Sequence, residues 1–250
     1  MKRKPRIALA QIMYFDIHDK NNLQKILEYI RAAKRESADI ICFPETCVLR
    51  EKYLHHGHPL LRIIKEECKK NNIWCIITDD FMHKKKLHNT SILINRKGEI
   101  KGLYRKIQPY AERGVTPGTR VKVFNTDFGR IGIAICWDLA FSHIFAGMKK
   151  LGAQIIFCPA QWAYEEKAHD KDHKRRELKL LRSLILARAF ENLSFVAFCS
   201  PYRHEEDLLC YSAITSPHRI LKEIVDKEGL ICSDINLSEL GVFKKIYPGK

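Results

Sequence analysis

Short apolar runs alternate along the chain with segments whose apolar residues recur every three or four positions. The first pattern is typical of buried strands and the second of amphipathic helices. The pattern predicts strands over residues 6–11, 39–43, 73–78, 90–95, 100–104, 121–125, 130–135, 153–158, 194–198, 211–215, 220–224 and 230–235. It predicts helices over residues 22–35, 60–70, 141–151 and 174–192.

Alternating strands and helices are typical of α/β proteins, in which a helix connects one parallel strand to the next. Hairpins interrupt the alternation at residues 90–104 and 121–135, so the predicted sheets are mixed. No Pro/Ser/Gly-rich linker, internal repeat or low-complexity segment divides the chain. We therefore expect a single α/β domain over residues 1–250.

The composition fits a folded domain. Hydrophobic residues make up 46% of the 250 positions, which provides enough apolar surface to offset the entropy of ordering the chain. No apolar run of about 18 residues occurs, and residues 1–5 lead into the first strand without the apolar stretch of a signal peptide. We expect a soluble, cytoplasmic protein.

The chain contains nine cysteines, and no two of them are spaced as Cys-x-x-Cys. A disulfide framework or a zinc ribbon would space them differently. Most of these thiols are therefore expected to be small buried hydrophobes. Any one of them can still be a nucleophile.

The formal net charge of +15 makes a nucleic acid worth considering as a partner. The basic residues are dispersed, however, and neither zinc-finger spacing nor an aromatic single-strand binding motif accompanies them. We therefore do not expect a nucleic-acid partner.

Two groups of histidines raise the question of a metal site. His55, His56 and His58 form one group, and His169 and His173 form another at helical spacing. The second group lies in a run of alternating charge and lacks a glutamate at the catalytic position. Solvent-exposed side chains are the better interpretation, and we expect no metal.

Several familiar catalytic motifs are absent, including Gly-x-Ser-x-Gly, a phosphate-binding glycine loop and His-Glu-x-x-His. Instead, Glu45, Lys106 and Cys136 each follow a predicted strand within two residues of its end. Side chains at such ends lie at the exposed lip of an α/β sheet. A carboxylate, an ammonium and a thiol there can act as base, electrostatic stabiliser and nucleophile. From the local pattern alone, Cys136 as one more core thiol stays an open alternative.

The order and spacing of these motifs resemble the Glu-Lys-Cys signature of the carbon-nitrogen hydrolase (nitrilase) family. The central motifs are Phe43-Pro44-Glu45, Tyr104-Arg105-Lys106-Ile107 and Ile135-Cys136-Trp137-Asp138. Supporting matches, between about residues 6 and 237, are Ala8-Leu9-Ala10-Gln11, Thr116-Pro117-Gly118, Pro159-Ala160-Gln161-Trp162 and Ala187-Arg188-Ala189-Phe190-Glu191-Asn192.

The resemblance implies a four-layer αββα sandwich of two mixed β-sheets covered by helices. It also implies a hydrolase without a cofactor that associates into homodimers or larger assemblies. Glu112 matches a second glutamate that many members place shortly after the lysine. The helical segment 178–187 is apolar around more than one face, so one face is expected on the sheet and part of the other on a second subunit. A helix buried within one large domain is the alternative.

The implied reaction is hydrolysis of a small amide or an N-carbamoyl compound through a thioester. Glu45 would take the thiol proton, Cys136 would attack the carbonyl carbon, and Lys106 with the backbone N–H of Trp137 would hold the oxyanion. Glu112 would orient the substrate or the lysine. Nitrile hydrolysis by the same residues is one alternative, and a catalytically silent scaffold or nucleic-acid-associated member is another.

The sequence departs from the family next to the cysteine. Many members carry Phe-Pro-Glu and then an arginine, whereas this chain has Phe141-Ser142-His143 and Ala146. The segment 201–210 is acidic where relatives often have a glycine-rich loop, and little chain follows Asp234. These changes affect substrate choice and subunit contacts rather than the triad.

Aromatic residues are the expected substrate-binding surface. They follow strand ends in the matched regions, and we expect them to form a narrow, partly apolar pocket mouth. They are Tyr110, Trp137, Phe141 and Trp162. Small uncharged or aromatic amides should then be better substrates than acidic carbamoyl amino acids. This expectation also depends on His143 and Ala146, which replace charged residues that could anchor a substrate in relatives. If the two residues face outward, their replacement alters only packing.

Overall fold

The computed structural model describes residues 4–15, 20–49, 52–163, 171–203 and 208–247. The strands are β1 (Arg6–Gln11), β2 (Ile40–Cys42), β3 (Trp74–His83), β4 (Lys86–Ile94), β5 (Ile100–Arg105), β6 (Val123–Asn125), β7 (Arg130–Ile133), β8 (Ile155–Pro159), β9 (Phe195–Cys199), β10 (Tyr211–Thr215), β11 (Ile220–Val225) and β12 (Gly229–Asp234). The helices are α1 (Leu23–Arg35), α2 (Pro59–Asn71), α3 (Ser142–Lys150), α4 (Lys171–Asn192) and α5 (Ser238–Ile246). A one-turn 3-10 helix covers Cys136–Ala140.

These strands form two six-stranded mixed sheets within the described residues. The first has the order β12-β1-β2-β3-β4-β5 and the second the order β11-β10-β9-β8-β7-β6. In each sheet three parallel strands lie together, β1-β2-β3 in one and β7-β8-β9 in the other. Antiparallel strands flank them.

The two-residue period of the strands determines which side chains enter which layer. Ile7 and Leu9 of β1 join a core shared with the second sheet, whereas Ala8 and Ala10 face a core that includes α1 and α2. Helices α3 and α4 pack on the other side of the second sheet with buried residues such as Phe145 and Ile185. The layers are therefore helix, sheet, sheet and helix, and the predicted αββα sandwich is confirmed.

Local sequence signals explain where α2 begins and ends. Pro59 occupies the first turn, where a missing N–H costs nothing, and the Nδ1 atom of His58 accepts a hydrogen bond from the N–H of Leu60 at 3.3 Å. Asn72 ends the helix in the left-handed region, with φ at 50°, a conformation that asparagine tolerates well.

Each predicted strand and helix is present in the structure, most of them with shifted ends. Helix α5 was not predicted. Strands β3 and β4 are longer than predicted and pair as a hairpin that was not predicted, with a two-residue turn at Lys84 and Lys85. Both turn residues have positive φ, 48° and 62°, as such a turn requires. The pair Lys84-Lys85 is not one of the residue pairs, such as Asn-Gly, that indicate a two-residue turn in a sequence.

Candidate active site

The predicted triad of Glu45, Lys106 and Cys136 lies where three strands end. Glu45 comes shortly after β2, Lys106 directly after β5 and Cys136 shortly after β7. Lys106 Nζ donates to Glu45 Oε1 at 2.7 Å, and the backbone of Gln161 contacts both Glu45 and Cys136. The two sheets therefore bring the three side chains together, the first through β2 and β5 and the second through β7.

Cys136 lies at a strained turn between β7 and the 3-10 helix. Its φ is 46°, in the left-handed region that costs a non-glycine residue about 1 kcal/mol or more. The side chain is part of the core between the sheets, and the residue is only 7% exposed. The Sγ atom donates to the carbonyl oxygen of Gln161 at 3.6 Å. The expectation of an exposed thiol is wrong, because the residue lies within this core.

Asp138 holds this turn in place, a role that sequence analysis missed. Its carboxylate accepts hydrogen bonds from the N–H of Ile135 at 3.0 Å and the N–H of Gln108 at 2.8 Å. It also accepts one from the hydroxyl of Tyr104 at 2.7 Å. Tyr104 and Gln108 flank Lys106 in the chain, so one buried carboxylate ties the lysine segment to the cysteine turn.

Lys106 lies between two carboxylates. Its ammonium donates to Glu45 Oε1 and to Glu112 Oε1, and the residue is 2% exposed. A buried ammonium is strongly unfavourable unless it is paired. The two carboxylates supply that pairing, so Glu112 is in contact with the lysine as the second glutamate of the motif.

Glu45 is held by three donors. Its Oε1 atom accepts from Asn89 Nδ2 and from Lys106 Nζ, each at 2.7 Å, and its Oε2 atom accepts from the N–H of Gln161 at 2.9 Å. Asn89 Nδ2 also donates to Glu112 Oε2 at 3.1 Å. Asn89 was not predicted as a site residue, since it directly precedes the strand predicted over residues 90–95. A buried amide needs a polar partner, and the two carboxylates provide it.

The charges of the site act on the nucleophile. Burial raises the pKa of the Cys136 thiol well above its ordinary value, and the carboxylate of Glu45 raises it further, while the Lys106 ammonium opposes both. Burial works to lower the pKa of Lys106, but Glu45 and the other nearby negative groups outweigh it and raise the pKa. At neutral pH the site therefore holds a charged ammonium beside a protonated thiol.

The predicted aromatic residues form one cluster. The ring centroid of Trp137 lies 4.9 Å from that of Tyr110, 6.3 Å from that of Phe141 and 5.7 Å from that of Trp162. Tyr110 is 52% exposed, which suits a pocket mouth. Trp162 is buried, and its indole N–H donates to Glu177 Oε1 of α4 at 2.8 Å. Its ring lies between those of Trp137 and Phe198, so Trp162 is more deeply buried than the other aromatic residues predicted at the pocket mouth.

A cavity of about 420 Å³ opens beside Gln161 and Thr46, and we call it the side cavity. Thr46 follows Glu45 directly, and Gln161 contacts both Glu45 and Cys136. The side cavity was not predicted. Its lining residues are Tyr14, Phe15, Thr46, Leu49, Lys52, Tyr53, Asp79, Asp80, Leu87 and Gln161.

The remaining sequence candidates lie elsewhere. His143 and Ala146 are exposed on α3, in agreement with the outward-facing alternative. His55 and His58 contact each other, with ring centroids 5.3 Å apart, and the described part of the chain holds no group of three or more metal-ligating side chains. His169 and the acidic residues Glu205, Glu206 and Asp207 lie outside the described residues. Among the described residues, no helix is long and apolar enough to cross a membrane.

The sequence profile of the carbon-nitrogen hydrolase family matches residues 6–245. The chain belongs to this family. It is therefore an enzyme of the amidase and nitrilase type, as the sequence motifs predicted.

Two relatives and one solved structure illustrate the match. The nitrilase and fragile histidine triad fusion protein NitFhit of Drosophila melanogaster is 27% identical over 90% of this chain, which spans only 52% of that protein. Deaminated glutathione amidase of Dictyostelium discoideum is 23% identical over 99% of this chain and 93% of its own length. Nit3 of Saccharomyces cerevisiae, a member of branch 10 of the nitrilase superfamily, superposes with a TM-score of 0.85 at 20% identity, covering 99% of this chain and 96% of that one.

Proposed function

We propose that this protein hydrolyses a small amide or N-carbamoyl compound through a thioester on Cys136. The observation that carries the proposal is the buried ammonium of Lys106, held by Glu45 and Glu112 beside the strained cysteine turn. A buried, doubly paired ammonium next to a thiol suits the stabilisation of an oxyanion. It has no comparable use in a purely structural core.

In the first step Glu45 removes the proton from the Cys136 thiol as the sulfur attacks the carbonyl carbon. The raised pKa of the thiol makes this base necessary, since the thiol does not ionise by itself at neutral pH. The carbonyl oxygen becomes an oxyanion. Lys106 and the backbone N–H of Trp137 hold it, because the first N–H groups of the 3-10 helix lack acceptors within that helix.

In the second step the tetrahedral adduct collapses. The carbon-nitrogen bond breaks, and protonated Glu45 gives its proton to the departing nitrogen. Ammonia or an amine leaves, and the acyl group stays bound to the sulfur of Cys136 as a thioester. Glu45 then removes a proton from water, which attacks the thioester and releases the acid. The thiolate takes the proton back from Glu45, which restores the resting site.

Glu112 and Asn89 act as positioning residues in this mechanism. Glu112 shares the Lys106 ammonium with Glu45, and Asn89 donates to both carboxylates. Together they hold the carboxylate of Glu45 in position and keep Lys106 charged without touching the reacting carbon. We expect this preorganisation to raise the rate of hydrolysis, because the groups need not rearrange during the reaction.

Similarity to relatives supports amide hydrolysis over the alternatives. Deaminated glutathione amidase matches almost the whole chain. Nitrile hydrolysis would use the same attack by sulfur, on a nitrile carbon, and a catalytically silent scaffold would not need the complete triad. Both alternatives are decided by the experiment below.

The experiment is an ammonia-release assay on a panel of small amides, N-carbamoyl compounds and nitriles, with Cys136→Ala as the matched inactive variant. We expect amides or carbamoyl compounds to release ammonia with the wild type alone, and the same compounds to protect Cys136 from alkylation by iodoacetamide. Turnover of nitriles only would favour the alternative activity. No turnover, with no protection of the thiol, would favour the silent scaffold.

We also propose that the protein forms a homodimer or larger homo-oligomer through α4, acts without a cofactor and works in the cytoplasm. Leu181 and Ile185 of α4 are buried against the second sheet, whereas Leu180 is 49% exposed. An exposed leucine beside a packed face is what a helix with two partners would present.

A further inference from the structure

Asp80 is a half-buried carboxylate without a partner. It lines the side cavity, and among the described residues its side chain forms no ion pair and accepts no hydrogen bond. Removing a carboxylate from water without pairing it is unfavourable. Such a group is therefore suited to bind something that enters the cavity.

The adjacent Asp79 shows what a structural carboxylate looks like in this strand. It is buried, and its Oδ2 atom accepts from the N–H of Val48 at 2.8 Å and of Leu49 at 3.0 Å. Its Oδ1 atom accepts from the N–H of Asp80. Asp79 therefore anchors the loop after Glu45, whereas the carboxylate of Asp80 has no such use.

Strand pairing places Asp80 next to the catalytic groups. Asp80 of β3 lies directly opposite Asn89 of β4, and directly opposed residues share a face of the sheet, with Cβ atoms about 5 Å apart. Asn89 donates to both Glu45 and Glu112. The carboxylate of Asp80 thus lies one side chain away from the catalytic base.

The electrostatics of this region favour a cation. Burial raises the pKa of Asp80 to about 6, and the carboxylates of Glu112 and Glu45 add to the shift while Lys106 reduces it. Asp80 is still ionised at pH 7. Among the described residues, Asp80, Glu45 and Glu112 then lie around the single buried ammonium of Lys106, so an anionic substrate tail would be repelled here and a cationic one attracted.

The walls of the side cavity fit a short carbon spacer. Phe15, Leu49 and Leu87 supply apolar surface, and Lys52 is exposed. Within the described residues Lys52 forms no ion pair with Asp80, so it does not neutralise that carboxylate.

We propose that the side cavity is the subsite for the non-reacting end of the substrate, and that Asp80 selects amides whose far end carries a primary ammonium group. This inference rests on the proposed function, since it names the substrate class of the same site. The acyl carbon would lie at Cys136, the spacer along the apolar wall and the ammonium at Asp80.

The test compares three amides with the same four-carbon skeleton: butanamide, 4-aminobutanamide and the monoamide of butanedioic acid. We expect the wild type to hydrolyse the amino amide with a kcat/KM at least tenfold above that of butanamide, mainly through a lower KM, and the acidic amide least well. Asp80→Asn should reduce the ratio of amino amide to butanamide by tenfold or more. Glu66→Gln removes a charge from the exposed face of α2 and should leave the ratio unchanged.

A second measurement does not require turnover. Propylammonium should slow alkylation of Cys136 by iodoacetamide in the wild type and not in Asp80→Asn, while propionate should have no effect on either. Equal kcat/KM values for the three amides, with no response to Asp80→Asn, would overturn the inference and leave amide hydrolysis standing. If no amide is hydrolysed, the proposed function fails, and absence of protection by propylammonium overturns the inference separately.

Discussion

The hydroxyl of Tyr104 donates a 2.7 Å hydrogen bond to Oδ2 of Asp138. Tyr104 lies in β5, two residues before Lys106, and Asp138 lies two residues after Cys136. The bond therefore connects the first sheet to the second at the candidate active site. Both residues are buried, so no water replaces the bond if it is lost.

Tyr104→Phe is expected to lower kcat about tenfold with little change in KM, because Lys106 and Cys136 lose their fixed separation while the substrate subsite stays intact. The free energy of unfolding should fall by about 1.5–3 kcal/mol, since Asp138 loses a hydrogen bond in the core. Steady-state kinetics and urea unfolding measure both quantities.

Tyr211→Phe is the matched control for that variant. Tyr211 is also buried, and its hydroxyl donates to Glu223 at 2.9 Å on the sheet edge formed by β10 and β11. A comparable loss of stability without a loss of kcat is expected there. An equal fall in kcat for the two variants would show that Tyr104 acts only through stability.

Glu45→Gln and Glu112→Gln should differ in their effects on activity. The first variant removes the carboxylate that we propose as the base, so kcat should fall by about 10²-fold or more. The second leaves the base and weakens only the hold on Lys106, so a smaller decrease is expected. Ammonia release under single-turnover conditions measures the difference. Substantial turnover by Glu45→Gln would exclude Glu45 as the base.

The buried carboxyl of Asp79 makes stability depend on pH. Burial raises the pKa of Asp79 from 3.8 to about 7 in the folded protein, so the folded state binds more protons than the unfolded state between pH 4 and 7. The wild type should therefore gain stability relative to Asp79→Asn as the pH falls, by about 2 kcal/mol between pH 7.5 and 5. Urea unfolding at the two pH values tests this, and a difference independent of pH would contradict it.

Leu180→Glu should convert a dimeric protein into monomers, because it places a charge on the exposed face of α4 that we assign to the subunit interface. Ile63→Glu on α2, another exposed apolar position, should leave the assembly unchanged. Light scattering at micromolar concentration gives the molar mass. A strictly monomeric wild type would refute the interface.

Much of the fold follows from local pattern. Apolar runs of five or six residues identify strands, and the amphipathic segments between them identify crossover helices. A buried strand needs apolar side chains on both faces, and a helix that covers the sheet needs one apolar face. Glu45, Lys106 and Cys136 could be predicted for a similar reason, because each comes within two residues of the end of a predicted strand and belongs to a motif of the family.

Pairing between distant strands decided the rest. The β3–β4 hairpin turns at two lysines, which give no local signal, and only its register sets Asp80 opposite Asn89. The alternation within one strand shows which of its side chains share a face of the sheet. It does not show which residue of the neighbouring strand lies opposite each of them. The sequence thus identified the groups at the strand ends that we propose as the reacting ones. Asp138 and Asn89 position these groups, and Asp80 is proposed to select the substrate. Their roles depend on contacts between separate strands, which exist only once the sheets have assembled.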